Sequence, residues 1–164
     1  MNAKDAILTA LSGTQSLVPM YLSDLSDADL LVRPVPGANH IAWQIGHLIN
    51  SEVMLLNEQL PGVAFPKLPD GFAAAHSDKG AKADADKGFL TKEKYLALFG
   101  QVREATKAAV AKLADADFDK PNKGRMEKFA PTLGALVLLS SNHTLMHAGQ
   151  FTVVRRKLGK PVVF

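Results

Sequence analysis

Apolar residues recur along this chain with the spacing of amphipathic helices. In residues 3–22 they return in steps of three and four, which keeps them on one helix face. Residues 91–113 and 132–157 repeat this period, and Gly159 and Pro161 stop the last segment. With the segment that follows the first helix, the pattern predicts four long helices and an all-α fold.

The second predicted helix, residues 39–60, carries two kinds of side chain. Asn39 is predicted to cap its start, and Pro61 and Gly62 end it. One face is apolar and supplies packing. A neighbouring line on the same helix is mostly polar, and it consists of His40, Gln44, His47, Ser51 and Met54.

Residues 63–89 show no sustained helical period and are rich in proline and glycine. This is long for a connection within a compact domain. A loop of this length can cross from one end of a helical bundle to the other, so the second and third helices need not be antiparallel neighbours. It can also cover a site.

Length and composition indicate one globular domain that spans residues 1–164, with 47% hydrophobic and 21% charged residues. The chain has no cysteine. Disulfides, thiolate zinc sites and cysteine nucleophiles are therefore excluded, and a transition-metal site would have to use His, Asp or Glu.

The charge pattern argues against two classes of partner. The net charge is +3, but the lysines alternate with acids and form no basic stripe, so we expect no nucleic-acid binding. The most apolar stretch, residues 133–139, is too short to span a bilayer. Residues 1–5 lack the features of a signal peptide, and the expected location is cytoplasmic.

The candidate chemistry centres on two histidines in the last predicted helix. His143 and His147 are four residues apart, which places both imidazoles on one helix face. If that face meets the polar line of the second helix, His47 joins them. Three imidazoles can bind a divalent transition metal and leave positions open. The alternative is a set of hydrogen-bonded core histidines.

Three further polar residues belong to the same predicted pocket. Gln44 and Ser51 lie on the polar line of the second helix, and Gln150 follows His147 in the fourth. They could orient imidazoles or hold water. Their alternative role is to satisfy one another in a polar core.

Other chemically active residues are assigned structural or surface roles. His40 is predicted to cap the second helix or to lie at the rim of the pocket, more readily than to bind metal. His76 is expected to be solvated in the long loop, and Trp43 to pack. Glu52 and Glu58 are expected to be solvated.

Two motifs, in this order, resemble those of the DinB / YfiT-like superfamily of metal-dependent enzymes. The first is IAWQIGHL at residues 41–48, and the second is HTLMHAGQ at residues 143–150, followed by RRKLG at 155–159. The similarity covers nearly the whole chain, including the acidic turn at residues 25–30 and the long link at 63–89.

The resemblance implies a four-helix bundle with up-down-down-up topology and a long crossover loop between helices 2 and 3. It implies a metal (Zn, Ni, Fe or Mn) held by His47, His143 and His147, and homodimers are common among members. Characterised members are mycothiol-dependent maleylpyruvate isomerase and bacillithiol S-transferases. Ala148 stands where many members carry arginine, so an arginine contact to an anion is not expected there.

Three functions follow as hypotheses. The first is a metal-dependent thiol S-transferase, in which the ion holds a low-molecular-weight thiol as thiolate beside a small-molecule electrophile. The second is a metal-assisted hydrolase or isomerase that acts through metal-bound water. The third is a non-enzymatic metal-binding or stress-response module.

Overall fold

The computed structural model describes residues 1–77 and 88–163, and within these ranges the chain is helical and contains no strand. The all-α prediction is confirmed. Four long helices account for most of it, and a single helical turn lies between the second and third. In chain order the helices are α1 (Ala3–Leu22), α2 (Ile41–Leu56), α3 (Phe72–Ala75), α4 (Lys92–Ala111) and α5 (Leu133–Lys157).

The start and end of α2 differ from the prediction. His40, not Asn39, is its N-cap, because the imidazole Nδ1 accepts a hydrogen bond from the backbone N–H of Trp43 at 3.1 Å. The helix ends at Leu56, and residues 57–60 form turns ahead of Pro61. Within the predicted loop 63–89, residues 72–75 form α3, while residues 78–87 lie outside the described part of the chain.

The four long helices pack in pairs: α1 and α2 each contact both α4 and α5. Their buried apolar residues form two clusters. One contains Val18, Ile49, Val102 and Ala148, and the other contains Leu11, Leu56, Ala109 and Val137. Each helix contributes to both clusters, so each helix has a segment between them.

That intermediate segment is polar on every long helix. Arg103 of α4 is fully buried, and its guanidinium lies 2.9 Å from the carboxylate of Glu52 on α2. It also donates to Thr14 of α1 at 2.9 Å and to Thr144 of α5 at 3.0 Å. Thr106 donates to the same carboxylate at 2.6 Å. One buried ion pair thus joins all four long helices.

Glu52 was expected to be solvated, and this expectation is wrong, since its side chain is only 3% exposed. The reason is tertiary: the carboxylate is needed to neutralise Arg103, which α4 brings to the same level. Burial lowers the pKa of Arg103 from its ordinary value, and the attraction of Glu52 opposes that shift.

Among the described residues, no helix is both long and apolar enough to cross a membrane.

Arg103→Met is expected to destabilise the protein by about 3–5 kcal/mol, because it leaves the Glu52 carboxylate buried without a counter-charge. Replacing both partners, in Arg103→Met with Glu52→Leu, should recover most of this loss. The control is Lys107→Met, which removes a lysine paired with the exposed Glu104 and should cost less than about 1 kcal/mol. Urea unfolding measures all three, and equal losses for Arg103 and Lys107 would contradict the role of the buried pair.

Candidate metal centre

Three histidines meet where α2 faces α5. His47 comes from α2, and His143 and His147 come from successive turns of α5. One ring nitrogen from each lies within 4.8 Å of the other two, and the Nε2 atoms of His143 and His147 are 3.1 Å apart. His147 is buried and the other two are partly exposed. The cluster therefore has a protected side and a side that a small molecule can approach.

Gln44 determines which nitrogen of His147 faces the cluster. Its amide Nε2 donates to the carbonyl of Asn39 at 2.8 Å, which turns its Oε1 towards Nδ1 of His147 at 3.0 Å. An amide oxygen can only accept, so Nδ1 carries the hydrogen in the neutral ring. The lone pair of His147 is then on Nε2, which faces His143.

A backbone carbonyl does the same for His47. The carbonyl oxygen of His76 lies 3.4 Å from Nδ1 of His47, and it too can only accept. Nε2 of His47 is thereby left with its lone pair, and the hydroxyl of Ser51 lies 3.5 Å from it. His147 thus presents Nε2 to His143 while its Nδ1 is held from behind, and the His76 carbonyl favours the same tautomer in His47, as is usual for metal-binding histidines.

The segment of residues 72–77 supports His47 from outside. The indole of Trp43 stacks on the His47 ring, with centroids 4.7 Å apart and planes at 12°, and its N–H donates to the carbonyl of Ser77 at 3.2 Å. The packing role predicted for Trp43 therefore includes one wall of the centre. The carbonyl oxygen of His76 thus contacts His47, and the carbonyl oxygen of Ser77 accepts from Trp43.

His76 itself was expected to be solvated, and it is instead fully buried. Its Nδ1 lies 2.7 Å from the carbonyl of Phe72 and its Nε2 lies 2.8 Å from the hydroxyl of Tyr95. Burial lowers its pKa, so the ring is neutral, with Nδ1 donating and Nε2 accepting. Gly46 makes room for this ring, because a Cβ there would lie 1.9 Å from it. His76 anchors the supporting segment.

The remaining predicted site residues divide into two groups. Gln44 and Ser51 lie beside the histidines, as described above. His40 is buried as the cap of α2 with its ring edge against Phe89, 4.5 Å between centroids. Gln150 lies on α5 three residues after His147 and is exposed, and its assignment to the pocket stays a prediction.

Burial keeps the two α5 histidines neutral. It lowers the pKa of His143 to about 4, with a further contribution from the positive charge that His47 would carry. It lowers the pKa of His147 to about 3, assisted by His143 and His47. At neutral pH both rings therefore offer a lone pair rather than a charge. The donor set, which consists of imidazole nitrogens with one accessible side, is compatible with a divalent transition metal.

The supporting roles of Glu52, Arg103 and Tyr95 in this region were not predicted from the sequence. A signal for Glu52 was present, because it is the only formally charged residue in Ile41–Leu56. Arg103 also follows Phe99 by four residues and precedes Thr106 by three, which places it on the inner face of α4. A charged residue at an inner position is a sign of a buried pair.

These features define an all-helical protein with a three-histidine cluster suited to a divalent metal. Comparison with protein families gives a match to the DinB superfamily over residues 10–151. The chain therefore belongs to the DinB superfamily. A search of curated proteins returned no significant match.

Because His143 and His147 stay neutral in the folded protein, the free energy of unfolding decreases as the pH falls. Unfolded imidazoles take up protons near pH 6.5, whereas His143 and His147 do so only at about 4 and 3 when folded. Between pH 6.5 and these lower pKa values, the unfolded state binds more protons than the folded state. The stability that they contribute is complete above pH 6.5 and is lost as the pH falls towards 4.

For the metal-free protein we expect a decline of the order of 1 kcal/mol per pH unit for each of the two histidines below pH 6. Urea unfolding at pH 7.5, 6.0 and 5.0 with a chelator measures it. His147→Gln removes one of the two groups and should flatten the decline. An unchanged slope in this variant would show that His147 is not held neutral by burial.

Proposed function

We propose that this protein binds a divalent transition metal through the Nε2 atoms of His47, His143 and His147, and that it is a metal-dependent enzyme of the thiol S-transferase type. The observation that carries the proposal is the convergence of three imidazoles with two Nδ1 atoms occupied from behind. The metal identity is left among Zn, Ni, Fe and Mn, of which Zn, Ni and Fe suit imidazole ligands best.

The ion would supply a Lewis acid with open positions, at which a low-molecular-weight thiol can be held as its thiolate. The residues of the chain hold that centre in place. Gln44 and the His76 carbonyl keep the rings in one tautomer and orientation, and Trp43 covers the outer face of His47. The hydroxyl of Ser51, beside Nε2 of His47, is placed to donate to a sulfur or oxygen that binds there.

In the proposed reaction a carbon–sulfur bond replaces a bond between carbon and a leaving group. The thiol gives up its proton, and the sulfur electron pair forms the new bond. The leaving group departs with the electron pair of the broken bond and takes up a proton. The buried, neutral imidazoles do not themselves carry this proton at neutral pH, because their pKa values lie well below it.

We further propose a single domain over residues 1–164, folded as an up-down-down-up four-helix bundle. Support comes from contacts between helices. Ala10 and Tyr21 of α1 contact Ser141 and Arg155 of α5 in the same order along both helices. Lys4 and Gln15 of α1 contact Ala111 and Glu104 of α4 in opposite order.

The same reasoning orients α2. Gln44 near its start contacts His147 of α5, whereas Met54 near its end lines the same cavity as Leu139. These pairs run in opposite order, so α2 opposes α5 and, with it, α1. The bundle then has α1 and α5 in one direction and α2 and α4 in the other.

The metal site is tested with His147→Ala and its control Arg156→Ala, an exposed position on the same helix. Elemental analysis should find about one metal per chain in the wild type and in the Arg156 variant, and none after loss of His147. Thiol transfer to an electrophile such as monochlorobimane should disappear with the metal. Turnover in a metal-free His147 variant would overturn the proposal.

The same assays separate the alternatives. Activity that is insensitive to added thiols, with an essential base near neutrality, would favour a metal-assisted hydrolase or isomerase. A melting temperature that is raised by metal but unaffected by thiols would favour a non-enzymatic module. Both outcomes would retain the metal site and reject the transferase.

We also propose that the protein forms a homodimer through α5. Support comes from four apolar side chains that are exposed on one face of this helix: Leu138, Leu145, Met146 and Val153. Apolar faces of this kind are typical of protein interfaces.

Leu145→Asp should convert the dimer to a monomer, because it introduces a charge at the centre of this exposed face. Light scattering coupled to size-exclusion chromatography measures the mass. Leu96→Asp, which alters a partly buried leucine on α4, is the control for general disruption. A monomeric wild type, or a Leu145 variant that remains dimeric, would reject the interface.

A further inference from the structure

A cavity of about 210 Å³ lies between α2 and α5, directly beside the three histidines. His143 forms part of its wall. Ser51, whose hydroxyl lies 3.5 Å from Nε2 of His47, forms another part. The cavity therefore borders the cluster at His143, and Ser51 connects its wall to His47.

Most of the remaining wall is apolar. It consists of leucine and methionine side chains from α2, α5 and the segment before α5, namely Leu48, Met54, Leu55, Met126 and Leu139. Methionine side chains are flexible and polarisable, and they adapt well to aromatic rings. Arg125, whose guanidinium donates to the sulfur of Met54 at 3.0 Å, also borders the cavity. The apolar part of the wall suits an apolar group of the ligand.

The volume indicates the size of that group. An engineered apolar cavity of about 150 Å³ binds benzene. A cavity of about 210 Å³ can hold an aromatic ring with one or two further atoms, or a branched alkyl group of similar volume.

One wall residue points to a polar atom on the ligand. Ser140 is 6% exposed, and its hydroxyl oxygen is buried and has no hydrogen-bond partner among the described residues. A buried hydroxyl without a partner is unfavourable, so a ligand atom that bonds to it would be favoured. Glu52 also borders the cavity, but Arg103 neutralises its carboxylate.

We propose that this cavity binds an aromatic or branched-alkyl group of the electrophilic substrate and so brings the adjoining carbon to the three-histidine cluster. This inference rests on the proposed function for the identity of the ligand as a substrate. Binding of the apolar group itself does not require the metal, and it can be measured separately.

The probe is benzyl alcohol, which combines a ring with one hydroxyl group. The protein has five methionines, which can be labelled with ¹³C at the methyl group. Met54 and Met126 line the cavity, whereas Met20 and Met146 are exposed outside it. Benzyl alcohol should shift the NMR signals of the first two in a saturable manner and leave those of the other two unchanged. Equal shifts of all four, or none, would overturn the inference.

Two variants test the position of the ligand. Leu139→Trp fills the cavity and should weaken binding at least tenfold, without loss of bound zinc. Leu8→Trp is the control, because Leu8 is likewise partly buried against the same apolar cluster but lies on α1. Ser140→Ala should weaken benzyl alcohol about fivefold and leave toluene unchanged. Retained affinity in the Leu139 variant would overturn the inference.

Zinc content, measured on the same samples, separates this inference from the proposed function. Zinc binding without any response of Met54 and Met126 rejects the cavity as a ligand site and leaves the metal site intact. A response to benzyl alcohol in a protein that binds no divalent metal rejects the proposed function and supports the cavity.

Discussion

A guanidinium buried at Arg103 has to be neutralised and hydrogen-bonded, and this requirement governs how the four long helices can be arranged. Its partners come from α1, α2 and α5, and each is a short or medium side chain at one level of the structure. A rotation of α1 or α5 about its axis would remove a hydroxyl acceptor from the guanidinium. A rotation of α2 or α4 would leave an unpaired charge next to the apolar clusters. Such a charge costs far more than a displaced methyl group.

The same requirement positions the histidine cluster. Thr144, which accepts from Arg103, follows His143 directly on α5, and Glu52 lies five residues after His47 on α2. When Arg103 holds these two residues at one level, it also determines how far His47 is from His143. The ion pair and the three-histidine cluster are thus two adjacent layers of the helix packing, and both include residues of α2 and α5.

The surroundings of the histidines are built to hold neutral rings. Gln44 and the carbonyl of His76 occupy the Nδ1 atoms of His147 and His47. Burial disfavours the protonated forms of His143 and His147. The supporting segment at residues 72–77 is in turn held by the buried pair of His76 and Tyr95 and by the space that Gly46 leaves. In the proposed enzyme this arrangement reserves the Nε2 atoms for a metal, and the adjacent apolar cavity for a substrate group.

Much of this could be predicted from sequence, because helical periodicity is a local property. The four long helices, the shared face of His143 and His147 and the polar line with His47 and Gln44 all follow from spacing within single helices.

What spacing could not decide was which polar residues pair across helices. Glu52 was expected in solvent because its partner is on α4, and His76 because the contacts that bury it come from Gly46 and Tyr95. The chain alone determined the candidate ligands and the helices that carry them. Only the tertiary structure decided their protonation, their supports and the cavity beside them, because each of these depends on groups far apart in the chain.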